Sequence, residues 1–255
     1  MRIIKLFIKK AFERFGYKLL RSTAPSQDPF EDLQRLANAS TTPIIFDVGA
    51  HHGHLSTRFR TLFPGSTVYA FEPFPDSFEH LRMNTSGDPS IKMFNFGFSN
   101  TEGPKQFSSN LSSVTNSLLE TDDRSAVTWS PGYLETASRI TVPFSTIDRF
   151  VEEMNIPAID ILKLDVQGAE YLVLEGAARS MAASRINLIY TEIIIQPTYK
   201  EQRELHEILR MFHEYGFMLY NLYNFSRTKD GTLRQVDAIF THMEKKDETR
   251  ERNAG

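Results

Sequence analysis

The sequence contains no cysteine among its 255 residues. This absence excludes disulfide bonds, thiolate nucleophiles, iron–sulfur clusters and cysteine-based zinc sites. Any catalysis must therefore use oxygen and nitrogen groups. The absence also fits a reducing cytoplasm, which is the compartment where we expect the protein to work.

Positive charge is not in excess, since 29 Lys and Arg residues stand against 32 Asp and Glu residues for a formal net charge of −3. Proteins that bind nucleic acid over a broad surface need a basic excess that displaces phosphate counterions. We therefore expect no nucleic-acid partner. Hydrophobic residues make up 40% of the chain and charged residues 24%, as is typical of globular domains.

Long hydrophobic runs are missing too, even at the N-terminus, where Lys and Arg alternate with Ile, Leu and Phe at near-helical spacing. Charge interrupts this segment too often for a membrane span or a signal peptide. Two alternatives remain for residues 1–22. One is a basic amphipathic helix that contacts an anionic membrane surface, and the other is a helix that packs its apolar stripe on the rest of the protein.

The remaining chain divides into three segments. Residues 23–40 are polar and proline-containing, and we interpret them as a linker with a short helix that Asp28 caps and Pro29 begins. Residues 41–242 form the main domain. Residues 243–255 are charged and poor in apolar side chains, which predicts a disordered tail.

Within the main domain, short apolar runs alternate with amphipathic stretches. Strands are predicted at 44–48, 67–71, 91–96, 159–164, 186–195, 217–222 and 236–240. Helices are predicted at 55–63, 76–83, 147–154, 169–181 and 200–215. This alternation predicts an α/β protein with a Rossmann-like, doubly wound and mostly parallel seven-stranded sheet. The last two strands leave no room for a crossover helix, so we expect an antiparallel hairpin at one edge.

Residues 100–143 break the alternation of strands and helices. An insertion of this length is typical of a lid, a binding loop or a small hairpin. We interpret it as the part of the functional site that binds the acceptor, the molecule that receives the transferred group. Hydroxyl and aromatic groups that suit an acceptor pocket occur there at Ser112, Ser113, Trp129 and Tyr133.

A glycine pair follows the first predicted strand, in Asp47-Val48-Gly49-Ala50-His51-His52-Gly53. Glycines at this place allow a tight turn with a ligand close to the backbone, and the N-terminus of the next helix attracts a carboxylate. The spacing lacks the complete G-x-G-x-x-G cradle for a dinucleotide pyrophosphate. It therefore favours S-adenosylmethionine, which has no phosphate, over NAD.

An acidic residue, Glu72, ends the second predicted strand and precedes Pro73. A carboxylate at this position can accept both hydroxyls of a ribose, although a solvated acid is the alternative. Adenine contacts are expected where the third strand ends, near Gly97, Phe98 and Ser99. Donor contacts are therefore predicted at Asp47, Gly49, Ala50, His51, Gly53, Glu72, Pro73, Gly97, Phe98, Ser99 and Asp165.

The first candidate for catalysis is Asp165, at the C-terminal end of the predicted strand 159–164, where open α/β sheets place reacting groups. A carboxylate there can align and deprotonate an alcohol. Lys163 projects on the same sheet face, and an ion pair with it would keep the acid ionised. A purely structural ion pair is the alternative.

Glu192 and His51 are further catalytic candidates. Glu192 interrupts an apolar strand, and we expect it to face the acceptor cleft or to satisfy Lys163 or a backbone group. His51 is expected to hydrogen-bond the donor or the acceptor, and to take the proton if Asp165 does not. Neighbouring loop histidines cannot easily all point at one ion, so no metal site is predicted. For Glu170, a favourable interaction with the helix dipole is preferred over catalysis.

Several blocks resemble the FkbM family of methyltransferases, namely residues 46–53, 70–73, 145–148, 159–170 and 173–177. The resemblance spans about residues 42–240 and implies the class I methyltransferase fold, S-adenosylmethionine as donor, and a hydroxyl of a saccharide or natural product as acceptor. The chain departs from the family pattern in two places. Members usually have Asn where His51 stands and Glu where Gln167 stands, and the second difference weakens any mechanism that rests on that carboxylate.

Two other functions remain compatible with the sequence. One is a NAD-dependent oxidoreductase on the same fold, against which the missing G-x-G-x-x-G speaks. The other is a membrane-associated protein that binds the donor without catalysis, for which Gln167 and the basic N-terminus are the hints. The sequence makes no prediction of the oligomeric state.

Overall fold

The computed structural model describes residues 26–37 and 40–242. The predictions for residues 1–22 and 243–255 fall outside these ranges. Within them, the strands are β1 (Ile44–Val48), β2 (Thr67–Phe71), β3 (Ile91–Phe94), β4 (Gly97–Phe98), β5 (Gly103–Asn110), β6 (Thr136–Ser145), β7 (Ile159–Leu164), β8 (Ile186–Ile194), β9 (Phe217–Arg227) and β10 (Leu233–His242). The helices are α1 (Pro29–Leu36), α2 (His54–Leu62), α3 (Pro75–Thr85), α4 (Ile147–Glu153), α5 (Glu170–Glu175), α6 (Ala178–Ala182) and α7 (Leu205–Glu214).

The main sheet has seven strands in the order β3-β2-β1-β7-β8-β10-β9. The first five are parallel, whereas β10 runs antiparallel to both β8 and β9. The predicted α/β sheet and its antiparallel edge hairpin are therefore confirmed. The strand order reverses direction between β1 and β7, and a crevice opens at such a point beyond the C-terminal ends of the strands.

Both faces of the sheet are buried, which explains why its central strands are apolar at successive positions. On β1, Ile45 belongs to the hydrophobic cluster on one face, whereas Phe46 and Val48 belong to the cluster on the other. On β7, Ile161 and Leu162 divide in the same way. Each fully buried side chain of this size contributes about 1.5–3 kcal/mol to the free energy of unfolding.

The helix predicted over 169–181 is instead two short helices, α5 and α6, that are separated at Gly176. A Cβ atom on Gly176 would lie 2.1 Å from the carbonyl oxygen of Ser99, so the chain passes directly against its neighbour here. Asp148 then caps α6, because its carboxylate accepts hydrogen bonds from the backbone N–H groups of Arg179 and Ser180. Tertiary contacts thus interrupt a segment whose local sequence favours one helix.

Two other boundaries differ from the predictions. The helix predicted from residue 200 begins at Leu205, because Glu204 and Glu207 form a capping box at that point. The third strand ends at Phe94, and residues 97–98 join a different sheet. The short helix at Pro29 begins as predicted, since the side chain of Asp28 accepts the N–H of Phe30.

The insertion forms most of a second sheet, whose order is β4-β6-β5. Long strands β5 and β6 are antiparallel, and β4 adds to β6 in parallel. The connection between β5 and β6 contains two 3-10 turns, Ser113–Thr115 and Asp123–Val127. Of the predicted alternatives, the hairpin is therefore present, and its connecting loop reaches back over the main sheet.

In the ranges 26–37 and 40–242, no helix combines the length and apolar character that a membrane crossing requires.

Candidate active site

A cavity of about 750 Å³ opens to solvent at the C-terminal ends of β1, β2 and β7. Eight of the residues predicted to form the site line it, namely Gly49, His51, Glu72, Pro73, Gly97, Phe98, Ser113 and Asp165. The insertion and the end of β6 supply a further wall that includes Phe107, Ser113, Val114, Asn116, Leu118 and Phe144.

The loop after β1 is fixed to both neighbouring strands. The N–H groups of Gly49 and Ala50 both donate to the carbonyl of Phe71, at 3.0 Å each. Gly49 has φ +75°, and a Cβ atom there would lie 1.9 Å from the carbonyl oxygen of Asp165. Only glycine fits at this position, which explains the first glycine of the predicted donor loop.

Lys163 lies beneath this loop and is almost completely buried. Its Nζ is 3.0 Å from Asp47 Oδ1 and 3.8 Å from Asp165 Oδ2, and it donates to the carbonyl of Gly49 at 2.7 Å. Burial opposes the charge, but the carboxylates of Asp47 and Asp165 outweigh that effect and raise the pKa of Lys163 above its ordinary value. The ion pair predicted between Lys163 and Asp165 is present, and Asp47 is the closer partner.

Glu72 presents a buried carboxylate to the cavity. Its Oε2 accepts the N–H of His51 at 2.8 Å and its Oε1 accepts the N–H of Phe74 at 2.9 Å. Burial raises the pKa of Glu72 to about 7, although these two donors lower it. Each carboxylate oxygen can accept a second hydrogen bond, so the predicted contact with two hydroxyls remains open to this side chain.

His51 lines the cavity with φ +48°, and its ring is stacked on His52 at a centroid distance of 3.7 Å. Its Nε2 is 2.9 Å from the hydroxyl of Ser113. Burial, followed by the charge of His52, lowers the pKa of His51 to about 4. The imidazole is therefore neutral at physiological pH, and it connects the donor loop to the insertion.

At the end of β7, the amide of Gln167 connects two carboxyl groups. Its Nε2 is 2.9 Å from Asp165 Oδ1 and 3.0 Å from Glu192 Oε2, while its Oε1 is 3.0 Å from the hydroxyl of Tyr199. Asp165 and Gln167 line the cavity, and Glu192 lies behind them. Sequence reasoning selected both acids but missed the residue that joins them.

Glu170 closes the turn that carries these residues. Its carboxylate accepts the N–H groups of Val166 at 2.9 Å and Gly168 at 3.3 Å. Burial raises the pKa of Glu170 to about 7. These contacts assign Glu170 a structural role in the turn, in agreement with the preference against catalysis.

Aromatic side chains form the cavity wall beside β4. Phe98 is packed against Phe71 at a centroid distance of 4.5 Å and is only 2% exposed. A Cβ atom on Gly97 would lie 2.4 Å from the ring of Phe144. Phe98 lines the cavity, and stacking of a base on its ring stays a prediction.

Several predicted site residues do not line the cavity. They are Asp47, Ala50, Gly53, Ser99, Ser112, Trp129, Tyr133, Lys163 and Glu192. Trp129 instead donates its Nε1–H to Thr198, and its ring is covered by the guanidinium of Arg234. Among the described residues, no group of three or more His, Asp or Glu side chains is arranged to hold a metal ion.

Comparison with known proteins adds to this geometry. A family model described as the methyltransferase FkbM domain matches residues 47–219, more than half of the chain. The 2-O-methyltransferase NoeI of Sinorhizobium fredii is 28% identical over 173 residues, which cover 66% of this chain and 70% of NoeI. The hexuronic acid methyltransferase AglP of Haloferax volcanii is 24% identical over 159 residues, which cover 62% of this chain and 59% of AglP.

A solved structure, that of methyltransferase FkbM from Methylobacillus flagellatus, superimposes with a TM-score of 0.51 at 12% identity. The match covers 79% of this chain and 44% of that one. The present chain thus spans less than two thirds of AglP and less than half of the solved protein, and the structural likeness supports the fold.

Proposed function

Since the chain belongs to the FkbM methyltransferase family, we propose that it transfers a methyl group from S-adenosylmethionine to a hydroxyl of a saccharide or of a natural-product small molecule. The observation that carries this proposal is the convergence of Glu72 and Asp165 on one cavity. The first carboxylate suits the ribose of the donor, and the second suits the acceptor hydroxyl. Family membership argues against the oxidoreductase alternative.

The residues around Gly49 fit S-adenosylmethionine. The close approach of the Asp165 carbonyl requires glycine at position 49, and Gly49 lines the cavity, where a ligand can contact its backbone. Glu72 offers a carboxylate that two backbone N–H groups hold in place. The donor supplies an electrophilic methyl group on a sulfonium, and the protein has to align it with the acceptor and remove one proton.

Asp165 is the proposed proton acceptor. It lies at the cavity with its side chain 39% exposed, and Lys163 places a positive charge 3.8 Å from its Oδ2. The acceptor hydroxyl gives its proton to this carboxylate while its oxygen bonds to the methyl carbon and the carbon–sulfur bond breaks. His51 also lines the cavity, but its Nε2 is engaged with the hydroxyl of Ser113 at 2.9 Å.

The insertion is the proposed acceptor wall. Ser113 and Asn116 offer polar groups there, and Val114 and Leu118 offer apolar ones, a mixture that suits a sugar ring or a polyketide. Two relatives are named as a 2-O-methyltransferase and a hexuronic acid methyltransferase. These names support a hydroxyl of a saccharide as the first acceptor class to test.

The test compares Glu72→Ala with Asp165→Ala. Calorimetry with S-adenosylhomocysteine measures donor-site binding, and transfer of a labelled methyl group to a panel of glycosides, including glucuronides, measures turnover. We expect weakened binding in the first variant and retained binding with little turnover in the second. Binding of NAD without binding of S-adenosylhomocysteine would overturn the proposal, and normal turnover in Asp165→Ala would remove the role of that residue.

A further inference from the structure

The side chain of Gln167 makes three polar contacts beside the cavity. Its amide nitrogen makes two of them and its amide oxygen makes the third. The two hydrogens of Nε2 point to Asp165 Oδ1 at 2.9 Å and to Glu192 Oε2 at 3.0 Å. The oxygen Oε1 faces the hydroxyl of Tyr199 at 3.0 Å. The amide is therefore used as a double donor on one side and as an acceptor on the other.

The orientation of this amide is determined by its surroundings. Turning it over would place Oε1 about 2.9 Å from Asp165 Oδ1, an unfavourable contact between two acceptor oxygens. Burial raises the pKa of Tyr199 well above its ordinary value, so its hydroxyl keeps one proton, for which Gln167 Oε1 at 3.0 Å and the carbonyl of Thr115 at 3.1 Å compete. The backbone is held as well, because Ser117 donates to the carbonyl of Gln167 at 2.7 Å and the residue has φ +55°.

Glu192 has the surroundings of a protonated acid. Burial, followed by the negative charge of Asp165, raises the pKa of Glu192 well above its ordinary value. Its second oxygen, Oε1, contacts the amide of Gln235. Within the described ranges Gln235 Oε1 is buried without a hydrogen-bond partner, and turning that amide over would let a protonated Glu192 donate to it.

Charged and titratable groups lie around Gln167 and Glu192 on every neighbouring element. They are Lys163 on β7, Tyr190 on β8, Glu170 on α5, Asp237 on β10, His51 in the loop after β1, and Tyr199 after β8. Acids outnumber the single lysine, so an additional negative charge at position 167 would be strongly disfavoured. A neutral amide, by contrast, can donate to both acids without adding charge.

We propose that Gln167 is a positioning residue for the proposed methyl transfer, a neutral double donor that holds Asp165 at the cavity by connecting it to a protonated Glu192. This inference rests on the proposed function for the role of Asp165. Gln167 itself takes no proton. Its contribution is to fix one oxygen of Asp165, so that the other oxygen and the acceptor hydroxyl meet in one geometry.

The experiment measures protonation directly in the full chain labelled with ¹³C at the glutamate carboxyl carbons. Nuclear magnetic resonance at neutral pH distinguishes protonated from ionised carboxyl groups, and loss of one signal in Glu192→Gln identifies Glu192. In the wild-type protein we expect the Glu192 signal at the chemical shift of a protonated carboxyl group. In Gln167→Glu we expect one additional protonated carboxyl group, with a titration midpoint about three pH units or more above that of an exposed glutamate.

The matched control is Gln27→Glu, which makes the same chemical change at an exposed residue outside the cavity. Its new carboxyl group should be ionised at neutral pH. An ionised Glu192 in the wild-type protein, or a residue 167 glutamate that titrates like the control, would overturn the proposal. The wild-type measurement stands even if Gln167→Glu does not fold.

These outcomes are separable from the proposed function. The carboxyl signals require neither donor nor acceptor, so they report the bridge even if S-adenosylhomocysteine does not bind. A purely structural role for Gln167 would lower the thermal midpoint of Gln167→Ala and leave its kcat unchanged where it stays folded, whereas the positioning role predicts a lower kcat with the affinity for S-adenosylhomocysteine retained.

Discussion

The carbonyl oxygen of Asp165 occupies the space that a side chain on Gly49 would need, because a Cβ atom there would lie 1.9 Å away. The predicted donor loop and the predicted reacting strand end are therefore in direct backbone contact. Lys163 reinforces this contact from below, through the carbonyl of Gly49 and the carboxylates of Asp47 and Asp165. A change at any of these residues is expected to affect both halves of the site.

Gly49→Ala should destabilise the protein. The alanine would have to adopt a φ near +75° and displace the carbonyl of Asp165, and such strain costs about 1–3 kcal/mol or more. Urea denaturation measures the loss in the free energy of unfolding. Gly87→Ala is the control, since a Cβ atom at Gly87 meets nothing within 4 Å. Equal effects of the two substitutions would contradict the contact.

Lys163→Met should be more damaging. It leaves Asp47 buried without its cation, and removal of one partner from a buried ion pair typically costs about 3–5 kcal/mol. Lys200→Met is the matched control, because Lys200 pairs with Glu120 at 3.1 Å on the exposed surface. Exposed pairs contribute about 0–1 kcal/mol. Chemical denaturation of both variants tests the difference, and a loss for Lys163→Met as small as for the control would show that Asp47 needs no cation.

Donor affinity should depend on pH through Glu72. Its pKa of about 7 lies above the ordinary value of 4.5, so the folded protein holds a proton there and its stability falls as pH rises through this interval. Ionised Glu72 is the better acceptor for ribose hydroxyls. We expect S-adenosylhomocysteine to bind about tenfold more weakly near pH 6 than near pH 8.

Calorimetry across this pH range measures the dependence, and Glu72→Gln should abolish it. The exposed Glu79, which pairs with Arg82 on α3, supplies the control variant Glu79→Gln, in which the dependence should persist. A wild-type affinity that is constant over the range would exclude an ionised Glu72 as the ribose ligand.

The basic segment 1–22 has two alternatives that one experiment separates. Contact with an anionic membrane surface predicts that the full chain floats with phosphatidylserine liposomes and that a chain lacking residues 1–22 does not. Intramolecular packing predicts equal flotation of the two and a lower thermal midpoint after the deletion. The same measurement with neutral liposomes controls for non-specific adsorption.

Sequence reasoning located the parts of the site that depend on local pattern. Apolar runs predict the strands, and the ends of parallel strands meet at one edge, so Gly49, Glu72 and Asp165 could be placed together before any coordinates. The close partnership of Lys163 with Asp47 was not predicted, because it joins two adjacent strands at a register that the sequence does not state.

Features that arise from distant contacts were not predictable in this way. The break between α5 and α6 follows from the approach of Ser99 to Gly176, which no helical periodicity reveals. The residues of the insertion that reach the cavity depend on how β5 and β6 fold back, so of the four candidates there Ser113 lines the cavity and Ser112, Trp129 and Tyr133 do not. The bridge at Gln167 needs a left-handed backbone, and only its replacement of the usual family glutamate marked it in the sequence.

The second sheet has a consequence for how this enzyme could change its specificity. Under the proposed function, the wall opposite Glu72 and Asp165 comes mainly from one continuous stretch of chain, 97–145, whose strands β4, β5 and β6 form a sheet of their own. Replacing residues 111–135, the connection between β5 and β6, with the corresponding segment of a relative would leave Glu72 and Asp165 in place, provided that Ser113 and Ser117 are kept, because they contact His51 and the carbonyl of Gln167. Acceptor choice would then be portable, and chimeras built within this connection test whether the methyl group can be redirected.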